Sequence, residues 1–245
     1  MIRNFIIVAF SALILGCQST TAEQKNEDLK LAETALTSGH ADNALNIYKE
    51  KLKLSPNDIE LLFLTGAACN QSGRFDEALH YLEKGYQLSP SAEFERELGR
   101  AHLALGNLSL ATESLVKSTR NNEDDDVALN SLGVSYSLQK NYAKARSAFQ
   151  KALNHKPDSL EYRNNLALAW MLDGNPQQSI RILFPIYQRG ESSSKLRLNL
   201  ALSYAMSGDV EAAKAVAASD LSKAELESNL AYYSLLASSK EKPWL

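Results

Sequence analysis

Residues 165–174, NLALAWMLDG, return at 199–208 as NLALSYAMSG, and the displacement of 34 residues recurs along the chain. Glycines stand at Gly39, Gly73, Gly106, Gly174 and Gly208, with Lys140 where another falls due, giving intervals of 34, 33, 34, 34 and 34. Five residues after each comes a small side chain: Ala44, Ala78, Ala111, Ala145, Ser179 and Ala213. A period of this length confines the chain to repeating units that bury their apolar faces only against neighbours. A glycine supplies the left-handed backbone that ends one helix, and a small residue beyond it lets a second helix come close. Each unit therefore reads as helix, tight turn, helix.

Other positions keep the same period. Leu98–Gly99, Leu132–Gly133, Leu166–Ala167 and Leu200–Ala201 are large–small pairs, and Tyr136, Trp170 and Tyr204 follow where a ring fills the gap between helices. Pro56, Pro90 and Pro157 fall where a second helix must stop. Ala, Leu, Ser, Glu and Lys dominate, with only 11 glycines and 6 prolines, so the chain is expected to be all-α. The pattern resembles the tetratricopeptide repeat (TPR). That resemblance implies a right-handed superhelical solenoid of six units, 25–58, 59–91, 92–125, 126–159, 160–193 and 194–227, with a C-terminal capping helix and tail at 228–245. Ser222 and Glu225 form a capping-box pair, and Leu226, Leu230 and Tyr233 share a face that would cover the last unit. Lys240–Leu245 reads as a frayed end, with docking of the Trp244 ring as the other reading.

The first 16 residues stand apart: Arg3, then an apolar run from Phe5 to Leu15, then Gly16 and Cys17. The run suits a signal-peptide core and is short for a bilayer span. ILGC resembles a bacterial lipobox, which implies cleavage before Cys17 and acylation of that residue; an ordinary signal peptide or an uncleaved anchor are the alternatives. Residues 17–24 read as a polar tether. Gln18 in place of Asp implies, by the same resemblance, an outer-membrane destination on the periplasmic face. The net charge of −3 is spread along the chain, which argues against nucleic-acid binding. With Cys17 acylated, Cys69 has no second thiol to pair with, and is expected to be buried as a small apolar residue.

Catalytic chemistry is not signalled. His40, His80, His102 and His155 lie in different units, and no metal-ligand, phosphate-loop or nucleophile motif is present. No metal, cofactor or small-molecule substrate is expected. The run Glu123–Asp126 lacks the alternation of a calcium loop; it reads as a solvated turn with Asp126 as helix N-cap. What remains is a surface. In the frame of the resembled repeat, first helices line a concave groove, with Asn70, Arg96, Arg100, Asn130, Asn164 and Asn165 facing it. Leu168, Met171, Asn199 and Leu202 complete the set. Asparagine both donates and accepts, so Asn165, Asn199 and Asn229 could hold a peptide backbone, or could serve a structural role instead. Arg96 and Arg100 could meet a partner's carboxylate or pair with Glu93 or Glu97 on their own helix.

The C-terminal half, LNSLGVSYSLQKNYAKARSAFQKAL, RNNLALAWMLDGNPQQSIRIL and LRLNLALSYAMSGDVEAAKAVAASDLS, stands behind the lipobox. This succession resembles the TadD family of TPR lipoproteins from the tight-adherence, or Flp pilus, secretion system. The resemblance implies a non-enzymatic assembly factor whose partners are the secretin or other pilus-assembly proteins. Alternatives are a type IV pilus pilotin or another TPR lipoprotein adaptor of cell-envelope enzymes.

Overall fold

In the computed structural model residues 27–238 are described, and every regular element among them is an α-helix. The expected leader at 1–16, Cys17, the expected tether at 17–24 and Trp244 lie outside the described residues. Helix α1 covers residues 27–37. It is followed by α2 (Ala41–Leu54), α3 (Ile59–Gln71), α4 (Phe75–Leu88) and α5 (Ala92–Ala104), in a compact unit that ends at Leu105. A second compact unit begins at Gly106 and holds α6 (Leu108–Asn121), α7 (Asp126–Leu138), α8 (Tyr142–His155) and α9 (Leu160–Leu172). It continues with α10 (Pro176–Gln188), α11 (Ser194–Met206), α12 (Val210–Ala217) and α13 (Lys223–Ser238).

Local chemistry sets the helix ends. The odd-numbered helices α3, α5, α7, α9 and α11 each begin on a side chain that accepts a backbone N–H of the first turn. These caps are Asp58, Ser91, Asp125, Ser159 and Ser193. Each such cap stabilises its helix by about 1 kcal/mol. The cap of α7 is thus Asp125, which accepts from Ala128 N at 2.9 Å, and not Asp126. Asp126 instead accepts the Tyr162 hydroxyl at 2.7 Å. At the tight turns Gly39, Gly73, Gly106, Gly174 and Gly208 all have φ between 73° and 90°, and Lys140 adopts φ 58° in the same place. Asn141 N bonds back to Tyr136 O at 2.8 Å, just as Asn175 N bonds to Trp170 O at 2.9 Å, so the Lys140 turn has the geometry of its glycine counterparts. The residue before each of Pro56, Pro90 and Pro157 has left the helical region, which ends α2, α4 and α8. Helix α10 stops differently, on Gly190 at φ 73°.

In the first unit Leu45, Tyr48, Leu61, Leu62, Leu82 and Phe94 form the core, each at most 3% exposed. Cys69 is fully buried among them. Arg74–Asp42 at 3.0 Å, Lys51–Asp28 at 2.7 Å and the Lys49–Glu77 pair tie neighbouring helices at the surface. In the second unit the core runs through Leu115, Phe149, Leu183, Ile186, Leu196 and Leu200, each at most 2% exposed. Close approach is set by small residues: a Cβ built on Gly133 would stand 2.5 Å from the Phe149 ring. Ala145, Ser179 and Ala213 are buried to within 1% at the matching face of the next helix.

The C-terminal end departs from the period. Helix α12 has only 8 residues, and α13 starts at Lys223, so the boundary expected at 228 falls inside α13. The expected box is made: Ser222 N donates to Glu225 Oε2 at 2.8 Å and Glu225 N to Ser222 Oγ at 3.3 Å. Helix α13 packs on α11 and α12, with Leu226 against their core.

Candidate protein-binding surface

The first unit carries a buried polar cluster on α5. The Glu97 carboxylate on α5 is 3% exposed and accepts from Arg96 Nε and Arg100 NH1, both at 3.0 Å. Asn70 of α3 donates its Nδ2 to the same carboxylate and to the Glu97 carbonyl, each at 3.0 Å. A buried carboxylate must be matched by cations and hydrogen bonds, and here the matching groups come from its own unit. Of the two roles open to Arg96 and Arg100, the structure displays the internal one with Glu97.

In the second unit the asparagines form a double row. Asn165 of α9 donates to Asn130 Oδ1 of α7 at 3.0 Å, and Asn199 of α11 donates to Asn164 Oδ1 of α9 at 2.9 Å. Asn130 also reaches Glu161 Oε1 at 3.4 Å. The 34-residue period plus one sets this register, because the donor stands one place further along its helix than the acceptor. Asn130 and Asn164 are 8% and 4% exposed and are consumed as helix-to-helix links. Asn165 and Asn199 are half-buried, and their Oδ1 atoms have no donor among the described residues. They therefore present free acceptors on the same helices as half-buried Leu168 and Leu202.

Met171 is different. It is 0% exposed, with its sulfur 3.3 Å from Ser203 Oγ, so it packs in the core and cannot line a groove as expected. Asn229 is half-buried on α13 and makes no amide pair among the described residues. The aromatic positions are partnered: the Arg146 guanidinium lies 4.0 Å from the Trp170 ring centre and also pairs with Asp173. Tyr204 meets Phe184 edge-on at 6.4 Å.

Among the described residues no group of three or more His, Cys, Asp or Glu is placed to hold a metal ion. No described helix is long and apolar enough to cross a membrane. Burial, followed by the Asp126 hydrogen bond, raises the Tyr162 hydroxyl pKa, which keeps it a neutral donor.

Paired helices turned on positive-φ residues at a 34-residue period, with amide links between alternate helices of the second unit, define a helical-repeat scaffold. Family profiles agree: tetratricopeptide repeat profiles match residues 29–93, 127–159 and 195–219. The chain belongs to the tetratricopeptide-repeat proteins. Human tetratricopeptide repeat protein 13 is 26% identical over 131 residues, which is 54% of this chain but only 15% of that protein. A thermophilic TPR protein of Thermus thermophilus shares the fold at 22% identity and TM-score 0.63, over 73% of this chain and 98% of its own. YrrB, described as a TPR protein with an unusual peptide-binding site, shares it at 19% identity and TM-score 0.51, over 67% of this chain and 88% of its own.

Proposed function

We propose that this protein is a lipid-anchored, non-enzymatic assembly factor of the TadD type, which holds an extended segment of a pilus-secretion protein on the first-helix face of its second unit. The observation that carries this reading is the pair of unspent Asn165 and Asn199 acceptors beside Leu168 and Leu202. An extended peptide has backbone N–H groups to offer, whereas a helix satisfies its own. The peptide-binding description of YrrB and the lipobox-like ILGC both support the reading. Two acyl chains on Cys17 suffice for stable anchoring at the periplasmic face of the outer membrane.

The test separates anchor from surface. Cys17→Ala releases the protein into the soluble periplasm and misplaces the secretin, while Leu168→Asp with Leu202→Asp leaves it membrane-bound but without its co-purifying partner. Continued outer-membrane fractionation of Cys17→Ala refutes the anchor. Unchanged recovery of pilus-assembly proteins with the double variant refutes the surface.

A further inference from the structure

A cavity of about 580 Å³ lies within the second unit, between α6 and α8, with α7 as its floor. Its floor is apolar, made by Val116, Leu129, Leu132, Tyr136 and Ala148. Its rim carries Arg120, Lys144 and Lys151, none of which has a carboxylate partner among the described residues. Lys144 Nζ instead stands 5.5 Å from the Tyr136 ring centre. Some cations elsewhere are matched by carboxylates, as in Lys51–Asp28, Arg74–Asp42 and Arg197–Asp220. Two acids share the rim: Asp124 lies 3.7 Å from His155 Nδ1, and Glu123 flanks it. Three cations against the two acids leave this rim an excess of one positive charge over an apolar floor, in a chain of net charge −3, which favours an acidic, partly apolar occupant.

Spacing narrows the occupant. Lys144 and Lys151 are seven residues apart on α8, about 10.5 Å along the axis. A polyproline-type segment advances about 9.3 Å per three residues and returns its side chains to one face at i and i+3. Leu132 lies about 200° round α7 from Asn130, so this cleft is separate from the asparagine rows. We propose that the α6–α8 cleft is a second docking surface, which takes an extended protein segment whose two carboxylates, three residues apart, flank an apolar side chain. The carboxylates meet Lys144 and Lys151, with Arg120 adding to the field, and the apolar residue covers Leu132 and Ala148. The inference does not depend on the lipid anchor or on the asparagine surface.

Fluorescence anisotropy of a labelled peptide with an Asp-Pro-Leu-Asp core, titrated with the purified full chain, tests it. Saturable binding is expected, at least tenfold weaker for Lys144→Glu with Lys151→Glu and for Ala148→Trp, and unchanged for Lys214→Glu, an exposed position on α12 outside both surfaces. A Lys-Pro-Leu-Lys peptide is expected to bind the Lys144→Glu, Lys151→Glu protein and not the wild type, a rescue that a folding defect cannot produce. Equal binding of an Asn-Pro-Leu-Asn peptide, absence of the charge-swap rescue, or binding of decanoate in place of the peptide overturns the proposal.

Discussion

The closeness of α7 and α8 rests on one missing methyl group, and replacing it gives a test with an internal control. A Cβ at residue 133 would stand 2.5 Å from Phe149 Cε1 and 2.6 Å from Cδ1, with the ring 1% exposed and unable to swing into solvent. Ordinary carbon contacts are about 3.5–4.0 Å, so the ring must retreat by about 1 Å or the helices must part. Gly133→Ala is expected to cost about 1–3 kcal/mol by overpacking, even though alanine is the better helix former. Phe149→Leu alone is expected to cost about 1–2 kcal/mol, part of the ~3–5 kcal/mol for full truncation of a buried ring. One period further on the chain already holds Ala167 and Leu183 at these two places, both 0% exposed. The double variant should therefore recover at least ~1 kcal/mol relative to the sum of the single losses. Urea unfolding of the four proteins followed by far-UV circular dichroism measures the coupling. Strictly additive losses would refute the account of the glycine as a space-maker for Phe149.

Three further outcomes follow from single sites. Burial, with the nearby Glu77 charge adding to it, pushes the Cys69 thiol up to about 12; in a Cys17→Ala background it should resist thiol reagents at pH 8 until urea opens the first unit, and native labelling at a free-thiol rate would contradict its burial. The Arg197 hydrogen bonds, at 2.5 and 2.6 Å, hold Asp220 down to about 2 from its ordinary 3.8. Because the folded-state value is lowered, this pair stabilises fully above pH ~4 and is lost as pH falls towards 2, so Arg197→Ala should flatten the acid limb of the stability curve in that window. Lys140→Gly relieves a left-handed conformation worth about 1–2 kcal/mol and concedes ~0.4–1 kcal/mol in unfolded-chain freedom; a net gain of about 0.5–1 kcal/mol, or roughly 1–4 °C in melting temperature, is expected, and a loss would mean that the turn is not strained.

The parts of the fold that depend on backbone geometry were legible because geometry admits few residue types. A positive φ selects glycine, and a helix stop before proline is forced, so Gly73, Gly174, Gly208, Pro90 and Pro157 could be read directly. The N-cap row, Asp58, Ser91, Asp125, Ser159 and Ser193, carries the same period but mixes two residue types, and a search for identical letters passes over it. Gly190 was equally available as a stop signal for α10. The shortening of α12 shows in the sequence only through the Ser222–Glu225 box that opens the next helix, because its own alanines are good helix formers and carry no stop.

The surface was legible only to the level of helix face, because side-chain length and neighbours decide what a face exposes. Met171 and Leu168 differ by three residues on α9, yet α11 covers the first completely and leaves the second half-exposed. The asparagines posed ligand-holding and structural roles as alternatives, and the second unit divides them between rows: Asn130 and Asn164 accept and are buried, Asn165 and Asn199 donate and keep an acceptor facing outward. The division has a physical cause. An amide carries two kinds of hydrogen-bonding group, so linking two helices through one donor and one acceptor leaves complementary groups over, and those on the more exposed partner remain unpaired. Alanine at Asn164 and at Asn165 should therefore act differently, the first loosening α9 from α11 and the second sparing that link while weakening a bound backbone.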